Sequence, residues 1–343
     1  MRLPEKGTKT MARKAYLTPR ERVLKTYAFE RGDKVVSGFR VPEIHAARFE
    51  EKYGPNYGEI FHEGVGGGSL CLPQMPWPSA PGKWIDDGKD PVWWFTGPLY
   101  EDYDQADKLE LPDPRNTPNI FANLEKNLKD NPDGAQAFAV FGPFTILHGM
   151  RLMDNLYTDI YDDRAGLHRL IKRVMDIQTD LVRQAVELPF DIIHYMDDMG
   201  SSTGLLMSPA MTREFIFDYF EEGIQIAKKH GKHVEYHTDG DITDLLDDAY
   251  RIGIEGVNPL QPQFNDFEAF AKKYDKKLVA NGCLDNVGIL PFGTPEEVRA
   301  HVEYAFNTLG KNGGLSFGCH EIRNPVSFEN WEALLLAIAD CWY

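Results

Sequence analysis

The chain has 343 residues, and with 42% hydrophobic and 26% charged residues it can bury a large core and lacks the composition of a disordered protein. Its formal net charge of −16 repels phosphate backbones and anionic lipid headgroups, so we expect neither nucleic acid nor a membrane as a partner. The basic residues 1–16 are not followed by the apolar stretch of a signal peptide, and no run is long enough to span a bilayer. We therefore predict a cytoplasmic protein, and a homo-oligomer is compatible with the sequence.

The first third of the chain differs from the rest. It begins with a predicted helix over 19–31 and a predicted strand over 34–39. The segment 54–117 is rich in Gly, Pro and aromatic residues and is too apolar for a disordered linker. We interpret residues 40–117 as an insertion that packs near the mouth of the main domain and supplies part of a substrate pocket. An equally good interpretation is that its four tryptophans cover the outer wall of that domain.

From residue 134 onward, short β-rich runs alternate with longer amphipathic stretches. The predicted strands are 137–142, 190–196, 232–237, 253–258, 277–282 and 314–319. The predicted helices are 163–187, 209–230, 241–252, 294–309 and 327–340. Regular alternation of strand and helix is typical of a parallel sheet that is covered by helices.

Such an alternation either closes into a barrel or remains an open doubly wound sheet. An open nucleotide-binding sheet normally carries a glycine-rich phosphate loop, and neither GxGxxG nor GxxxxGK[ST] occurs here after a strand. The consecutive glycines Gly66, Gly67 and Gly68 lack the required spacing. We therefore predict an α/β fold of the (β/α)8 TIM-barrel type, with 1–343 as a single barrel domain and an N-terminal elaboration.

Polar residues end successive predicted strands. In a barrel of this type the carboxyl ends of the strands form the catalytic mouth, so site residues are expected there. The residues at these ends are Asp197, Asp198, His237, Asp239, Asn258, Asn281 and Cys319. The sequence therefore predicts an active site on this face of the barrel.

Three of these residues form a candidate metal site. His237 and Asp239 are separated by one residue at a strand end, and Cys319 ends the last predicted strand. One imidazole, one carboxylate and one thiolate make a three-ligand zinc site with a fourth position open to substrate. The alternatives are a hydrogen-bonded histidine and an inert core cysteine. None of the four cysteines forms a CxxC pair, which argues against a disulfide framework and a cysteine-only zinc site.

Two adjacent carboxylates, Asp197 and Asp198, follow an apolar strand and precede the loop GSSTGLLMSP. Such residues can orient a substrate, act as acid or base through a raised pKa, or cap a loop by accepting backbone N–H groups. Both are candidate catalytic residues, and we expect one of the two to be structural.

Several stretches, in this order, resemble the uroporphyrinogen decarboxylase superfamily, which includes the decarboxylase and zinc-dependent, corrinoid-linked methyltransferases. They are TPRERVLKTYAFERGDKV, FGPFTILHGMRLMDNLYTDIYDDRAGLHRLI, DDMGSSTGLLMSPAMTREFI, HTDGDITDLLDDAYRIGIEGVNPLQP and GCHEIRNPVSFENWEALL. They cover most of the chain outside residues 40–117. The HTDG stretch followed by NPLQP is the most specific part, and the resemblance implies the same barrel independently of the periodicity.

The resemblance includes one departure at the predicted metal site. Methyltransferases of this superfamily that act on thiols carry a His-x-Cys pair at the HTDG position and a later Cys near a glycine. This sequence keeps His237 and Cys319 but has Asp239 in place of the second thiolate. A carboxylate makes the metal a harder Lewis acid, which is better suited to an oxygen than to a sulfur. The departure therefore favours an ether oxygen as the substrate atom.

The function that the resemblance implies is methyl transfer from a small methylated donor to a corrinoid carried on a separate protein. An aromatic methyl ether is the favoured donor, so that the reaction is an O-demethylation. We expect the substrate to lie against Tyr195, Met196, Met199 and Asn258. The corrinoid is expected on a partner because no Asp-x-His-x-x-Gly signature occurs in this chain.

Two alternative functions are kept. The first is a decarboxylase of the uroporphyrinogen type, although the region GFRVPEIHAARF, with Arg40 and Arg48, lacks the RQAGR-type segment that binds substrate carboxylates in that enzyme. The second is a non-catalytic protein that binds a tetrapyrrole or corrinoid in the barrel mouth. Zinc content separates the last alternative from the enzyme, because a binding protein needs no metal.

Overall fold

The main element of the molecule is a sheet of eight parallel strands. The computed structural model describes residues 15–58, 69–86, 92–319, 321–322 and 324–343. The strands of the sheet are β1 (Val36–Ser37), β2 (Ser69–Cys71), β3 (Gln136–Phe141), β4 (Ile192–Met196), β5 (His233–His237), β6 (Gly256–Leu260), β7 (Val279–Cys283) and β8 (Leu315–Gly318). Each strand from β2 to β7 pairs with the next strand along the chain, and β8 also pairs with β1.

This sheet curls into a barrel. A single cavity of about 330 Å³ is lined by side chains from all eight strands. It includes Val36 of β1 and Leu70 of β2, the two strands at the ends of the hydrogen-bonded order. Strands at opposite ends of a sheet can face one cavity only if the sheet closes around it. The predicted (β/α)8 TIM-barrel fold is therefore confirmed.

Helices surround the barrel. They are α1 (Pro19–Tyr27), α2 (Glu43–Tyr53), α3 (Tyr103–Ala106), α4 (Ala122–Asp130), α5 (Pro143–Arg151), α6 (Met153–Asp162), α7 (Arg164–Ala185), α8 (Pro209–Thr212), α9 (Asp218–Lys229), α10 (Leu246–Ile252), α11 (Phe267–Tyr274), α12 (Ile289–Phe292), α13 (Pro295–Leu309) and α14 (Phe328–Ala339). A π-helical turn, Arg213–Phe217, joins α8 to α9, and a 3-10 turn, Thr243–Leu245, precedes α10. In the described part of the chain, no helix is both long and apolar enough to cross a bilayer.

The helix α7 shows why these segments pack on the barrel wall. Its apolar residues recur at helical spacing, and Leu167, Leu170, Ile171 and Val174 are completely buried. Burying each such side chain contributes about 1.5–3 kcal/mol. The helix begins after Asp163, whose carboxylate accepts the backbone N–H of the third residue of the helix. Periodicity and cap together explain why 163–187 could be predicted as a helix.

The bottom of the barrel is closed by α1. This helix begins with a capping box, in which Thr18 and Glu21 each accept the other's backbone N–H. At its other end, Tyr27 packs in a small apolar cluster with Val36 and Ile192 from the barrel strands. The segment before the first strand therefore forms the floor of the central cavity.

The predicted insertion, residues 40–117, supplies elements of the barrel itself and also a hairpin outside it. It contains α2, which packs on α14 through Phe49 and Phe328, and it contains strand β2. Its addition to the barrel is a hairpin of Gly82–Ile85 and Val92–Phe95. The chain beside this hairpin is hydrogen-bonded to the end of α5, where the N–H of Ala80 donates to the carbonyl of Gly149. The division of 1–343 into one barrel domain with an insertion stays a prediction.

Candidate active site

The central cavity lies inside the barrel and is lined by mixed side chains. Its walls include apolar residues such as Ala137, Ile192 and Val279. Its polar lining includes His194 and Glu235, together with the strand-end residues His237, Asn258, Asn281 and Cys319. About 330 Å³ is near the lower end of the sizes of ligand pockets, which run from roughly 300 to 1,000 Å³. The cavity therefore suits a small ligand that has both apolar and polar groups.

Three side chains at the mouth could hold a metal ion. One ligand atom each from Asp198, His237 and Asp239 lies within 4.8 Å of the other two. Asp198 follows β4, His237 ends β5 and Asp239 follows it, so the parallel pairing of these two strands brings the three residues together. Two carboxylates and one imidazole are ligands that zinc accepts. The structure thus groups two of the three predicted zinc ligands with a residue predicted to be catalytic.

His237 is oriented for metal binding. Its Nδ1 lies 3.0 Å from the side-chain oxygen of Asn258, which can only accept a hydrogen bond. We therefore assign the proton of the neutral ring to Nδ1, which leaves the lone pair of Nε2 directed at the mouth, 3.7 Å from Asp198 Oδ1. Burial lowers the pKa of His237, and the neighbouring His194 lowers it further. Both effects favour the neutral imidazole that a metal requires.

Two loops that touch each other hold the carboxylates of this group. A Cβ added to Gly200 would lie 2.1 Å from the carbonyl oxygen of Asp239, so only glycine allows this close approach. The hydroxyl of Thr238 accepts the backbone N–H groups of Met199 and Gly200. In addition, Asp198 Oδ1 accepts the backbone N–H of Asp239 at 3.1 Å. The loop after β4 is therefore fixed directly to the loop after β5.

The turn at Gly240 is fixed from the other side. Gly240 has φ +86°, a conformation in which glycine is favoured. Gln261 accepts its N–H, and Asn265 donates to its carbonyl at 3.0 Å. These two side chains are buried and follow β6. The stretch NPLQP therefore supports the site through Asn258, which orients His237, and through Gln261, which holds the turn.

Asp197 and Asp198 have different surroundings. Asp197 is buried and accepts the backbone N–H groups of Phe144 and Thr145, at 3.1 and 2.7 Å, and the hydroxyl of Thr145. It caps the start of α5, and a Cβ at Gly142 would collide with it. Burial raises the pKa of Asp197 to about 7, against the opposing effect of these hydrogen bonds. Asp198, in contrast, is more than half exposed and belongs to the group of three side chains that could hold a metal ion.

Cys319 lines the same cavity but lies outside the group of three described above. Burial raises the pKa of its thiol to about 12, so in the absence of a metal it is a neutral thiol. Among the described residues, the group whose ligand atoms all lie within 4.8 Å of one another includes Asp198 and does not include Cys319. The role of Cys319 as a zinc ligand stays a prediction.

The predicted substrate-binding residues divide into two pairs. Met196 and Asn258 line the cavity. Tyr195 instead packs outward on Phe220 of α9, with 4.5 Å between ring centroids, because successive residues of a strand face opposite sides of the sheet. Met199 is completely buried in the loop after β4 and does not line the cavity. The structure therefore places Tyr195 and Met199 away from the position predicted for them.

The tryptophans of residues 54–117 do not line the cavity either. Trp84, Trp93 and Trp94 lie on the hairpin beside α5 and are 40–67% exposed. Trp77 is partly buried against the main core. The described tryptophans therefore lie outside the pocket that residues 40–117 were expected to help form, whereas Leu70 of the same segment lines it.

A buried histidine and a buried glutamate of the cavity are among the lining residues that the sequence pattern did not identify. His194 of β4 and Glu235 of β5 are both buried, and Nδ1 of His194 lies 2.7 Å from Glu235 Oε2. Burial alone would raise the pKa of Glu235, but hydrogen bonds from His194, Asn281 and Tyr27 lower it below its ordinary value. The available signal was the alternation along each strand, which places His194 on the same face as Met196, and Glu235 on the same face as His237.

Comparison with known proteins gives one family and several structural relatives. The family model for uroporphyrinogen decarboxylase (URO-D) matches residues 84–340. A methyltransferase from Methanosarcina mazei has a similar structure, with a TM-score of 0.63 and 17% identity over 94% of this chain and 98% of that chain. No curated protein matches the sequence.

Two further solved structures are more distant. Ribulose-1,5-bisphosphate carboxylase/oxygenase from Pyrococcus horikoshii OT3 has a TM-score of 0.36 and 10% identity, over 92% of this chain and 61% of that chain. A sugar phosphate isomerase/epimerase from Parabacteroides distasonis ATCC 8503 has a TM-score of 0.38 and 10% identity, over 90% and 97% of the two chains.

The family match agrees with the resemblance of the sequence motifs, and the structure of the methyltransferase agrees with the barrel. At 17% identity, the methyltransferase from Methanosarcina mazei establishes a shared fold over nearly the whole of both chains. The match over residues 84–340 covers most of the 343 residues, including the strands that carry His237, Asp239 and Cys319. The chain belongs to the uroporphyrinogen decarboxylase (URO-D) family.

Proposed function

We propose that this protein is a corrinoid-linked methyltransferase that removes the methyl group of a small aromatic methyl ether. The observation that carries the proposal is the group of Asp198, His237 and Asp239 at the mouth of a small and largely apolar cavity. In the reaction, the methyl group is transferred to the cobalt of a corrinoid on a partner protein. The aryl oxygen keeps the electron pair of the broken bond and leaves as a phenolate.

The residues at the mouth fit a zinc ion. His237 presents a neutral nitrogen, and two carboxylates lie within reach of the same point. We infer that His237 and Asp239 are ligands and that either Asp198 or Cys319 completes the protein's share of the site, since Cys319 lines the same cavity. Bound zinc would supply a Lewis acid for the departing oxygen, whose negative charge otherwise makes phenolate a poor leaving group.

Asp198 is the candidate for moving a proton at that oxygen. Its side chain is more than half exposed, so it can exchange protons with solvent. It is also fixed by the N–H of Asp239, which keeps one of its oxygens beside Nε2 of His237. If zinc takes its ligands from His237, Asp239 and Cys319, Asp198 is left to position or protonate the substrate oxygen. Met196 and the apolar wall of the cavity would then hold the ring.

A decarboxylase of the uroporphyrinogen type fits the cavity less well. Among the described residues, the cavity lining includes the acidic side chains of Glu235 and Glu321 and no arginine or lysine. Arg48 lies on α2, where it pairs with Glu329 at 2.9 Å and stacks on Phe328. A substrate with many carboxylates needs cationic partners, and a volume of about 330 Å³ suits a smaller molecule.

The test combines metal analysis with an assay of methyl transfer. We expect the purified protein to contain about one zinc per chain and to form methylcobalamin from cob(I)alamin and a methoxylated aromatic compound. Methylated amines and thiols serve as competing donors in the same assay. A zinc-loaded protein that transfers methyl groups only from thiols, or from none of these donors, would contradict the proposal. The absence of zinc would favour a non-catalytic tetrapyrrole- or corrinoid-binding protein.

Single substitutions then assign the ligands. His237→Ala should remove zinc and methyl transfer together, because its nitrogen has no substitute at that point. Cys319→Ala should do the same if the thiolate is a ligand, and should leave the zinc content unchanged if Asp198 takes that place. Cys341→Ala is the matched control, since Cys341 is also buried but does not line the cavity.

A further inference from the structure

A second polar group lies deeper in the cavity than the proposed metal site. His194 and Glu235 each precede a residue of the mouth, Met196 and His237, by two positions in the same strand. Two residues advance a strand by roughly 6.6 Å, and the ring centroids of His194 and His237 are 5.6 Å apart. The two groups are therefore stacked along the barrel axis, one above the other.

The deeper group is held in place from below. Glu235 accepts a hydrogen bond from the hydroxyl of Tyr27 in α1 and another from the amide of Asn281 in β7, both at 2.9 Å. Its second oxygen accepts Nδ1–H of His194 at 2.7 Å. An ionised carboxylate can only accept hydrogen bonds, so this contact places a proton on Nδ1 of His194. The histidine ring therefore cannot turn without breaking a buried hydrogen bond.

The other nitrogen of this ring has no such partner in the described part of the chain. His194 lines the cavity, and its only hydrogen bond there is the one from Nδ1 to Glu235. The ring as a whole is buried, so a second nitrogen that reaches the cavity without a protein partner is a hydrogen-bonding position for a polar atom of a ligand. None of the proposed metal ligands uses this nitrogen, so it is available for recognition.

We propose that His194, held by Glu235, forms a subsite that binds a hydroxyl group of the ligand at the end remote from its methylated oxygen. This inference rests on the proposed function for the position of the methylated oxygen. A hydroxyl group is the matching partner because it can donate to a neutral ring nitrogen and accept from a protonated one. A single aromatic ring with an oxygen at each end is long enough to reach both the proposed metal site and His194. The substrate class is therefore a small methoxylated phenol.

An apolar wall beside the two groups supports this class. Met196 pairs with His237 at the mouth, and Ile192 and its neighbour Ala137 lie one inward-facing position below His194. A flat apolar ring that carries one oxygen at each end can satisfy both polar groups and this wall at once. A fully methylated ring would bring an ether oxygen to His194, and this oxygen could not donate to the nitrogen and would place a methyl group against it.

The test measures binding rather than turnover. 4-Methoxyphenol and 1,4-dimethoxybenzene are titrated into the zinc-loaded protein and into protein dialysed against a chelator, with calorimetry as the readout. We expect the wild-type protein to bind 4-methoxyphenol roughly 3–10-fold more tightly than 1,4-dimethoxybenzene, the ratio that one hydrogen bond supplies. The same ratio is expected in the chelator-treated protein, because His194 is not a metal ligand in this proposal.

His194→Asn provides the variant. Its amide can still donate to Glu235 from the position of Nδ1, but it lacks the second ring nitrogen. We expect this variant to bind the two compounds with equal affinity, and a melting curve checks that it is folded. Met196→Leu is the matched control, because it changes the apolar wall and should alter the affinity for both compounds by the same factor.

The possible outcomes each decide the proposal. Equal binding of the two compounds by the wild-type protein, or no binding of either, overturns the subsite, and so does a preference that survives in His194→Asn. If His194→Asn does not fold, the ratio of the two affinities measured on the wild-type protein still decides whether the subsite exists. If the binding ratio is as expected but no methyl group reaches cob(I)alamin, the proposed function fails and the subsite stands. If methyl transfer occurs but the protein binds the two compounds equally, the proposed function stands and the subsite is overturned.

Discussion

Two neighbouring aspartates show how strongly surroundings separate residues of the same type. Asp197 points into the start of α5 and satisfies two backbone N–H groups there. Asp198 points to the mouth, where it meets His237 and Asp239. Parallel strands end at the same edge, but successive residues after a strand face different directions. One aspartate therefore stabilises the fold, and the other is available for chemistry.

This contrast predicts opposite effects for two substitutions. Asp197→Ala leaves buried donors of Phe144 and Thr145 unsatisfied, so we expect a loss of about 1–3 kcal/mol in the free energy of unfolding. Asp198→Ala removes an exposed side chain and should cost roughly 0.5 kcal/mol or less, while lowering methyl transfer. Urea denaturation and the transfer assay measure the two effects. A stable but inactive Asp197→Ala protein would contradict this division of roles.

Lys34 is a buried cation that the proposed function does not use. It is only 2% exposed, and its ammonium group has no hydrogen-bond partner among the described residues. Its ammonium nitrogen lies 5.5 Å from the ring centroid of Trp342. Burial lowers the pKa of Lys34 to about 8. The charged form is therefore disfavoured in the folded protein.

The pKa of Lys34 predicts how stability depends on pH. The ordinary lysine pKa is 10.5, so between pH 8 and 10.5 the unfolded state binds more protons and stability rises with pH. Below pH 8 Lys34 is charged in both the folded and the unfolded state, and burying this charge lowers the free energy of unfolding by on the order of 3 kcal/mol. Lys34→Met should therefore stabilise the protein at pH 7, and the gain should shrink as the pH approaches 10.5. Urea denaturation of the wild-type protein and of Lys34→Met at pH 7 and pH 10 measures this gain in stability. A gain that is the same at both pH values would refute the lowered pKa of Lys34 as its cause.

At the scale of elements, the site depends on the contact between the loops after β4 and β5. Backbone atoms of Gly200 and Asp239 touch, and the N–H of Asp241 donates to the carbonyl of Ser201 at 2.8 Å. Neither loop carries the candidate metal site alone, because Asp198 lies on one loop and Asp239 on the other. Their relative position is therefore set by the packing of one loop on the other.

Gly200→Ala tests this loop contact. The new methyl group would lie 2.1 Å from the carbonyl oxygen of Asp239, so the two loops must separate. We expect zinc affinity to fall about 10-fold or more, as is common when residues that support metal ligands are changed. Gly149→Ala is the control, because a Cβ there meets nothing within 4 Å and the helix α5 should gain about 0.5–1 kcal/mol. Equal zinc affinity in both variants would show that the contact is not needed.

At the scale of the whole molecule, the N-terminal helix completes the cavity from below. Tyr27 donates to Glu235, which lies 208 residues away in the sequence, and its ring stacks on His233 at 4.7 Å. The floor of the site is thus built from the first helix, and the mouth is built from strand ends in the second half of the chain. The barrel must close before either part of the cavity exists.

Tyr27→Phe tests the floor. The ring is kept, but Glu235 loses one of its hydrogen-bond donors, so we expect the free energy of unfolding to fall by about 1.5–3 kcal/mol. Zinc content should stay the same, since the mouth is unaffected. Tyr16→Phe is the matched control, because Tyr16 is 76% exposed and its loss of a hydroxyl should be neutral. Unchanged stability in Tyr27→Phe would mean that the buried carboxylate does not need this donor.

Much of the architecture could be predicted from local pattern. Strands 232–237 and 314–319 and helices 163–187 and 294–309 are observed within two or three residues of their predicted ends. Burial of an apolar run or stripe is a local property, so periodicity reports it directly. Strand β2, Ser69–Cys71, was missed because three residues after a glycine-rich segment carry no usable period.

The side of the sheet that each residue faces was decided only by tertiary structure. Parallel barrel strands are apolar on both faces, so the sequence did not distinguish Tyr195, which faces a helix, from His194, which faces the cavity.

The sequence by itself determined that His237 and Asp239 end one strand, because they are neighbours in the chain. Whether Asp198 or Cys319 lies nearest to them depends on which strands pair and how their loops pack. These contacts join residues tens of positions apart, and no local pattern encodes them.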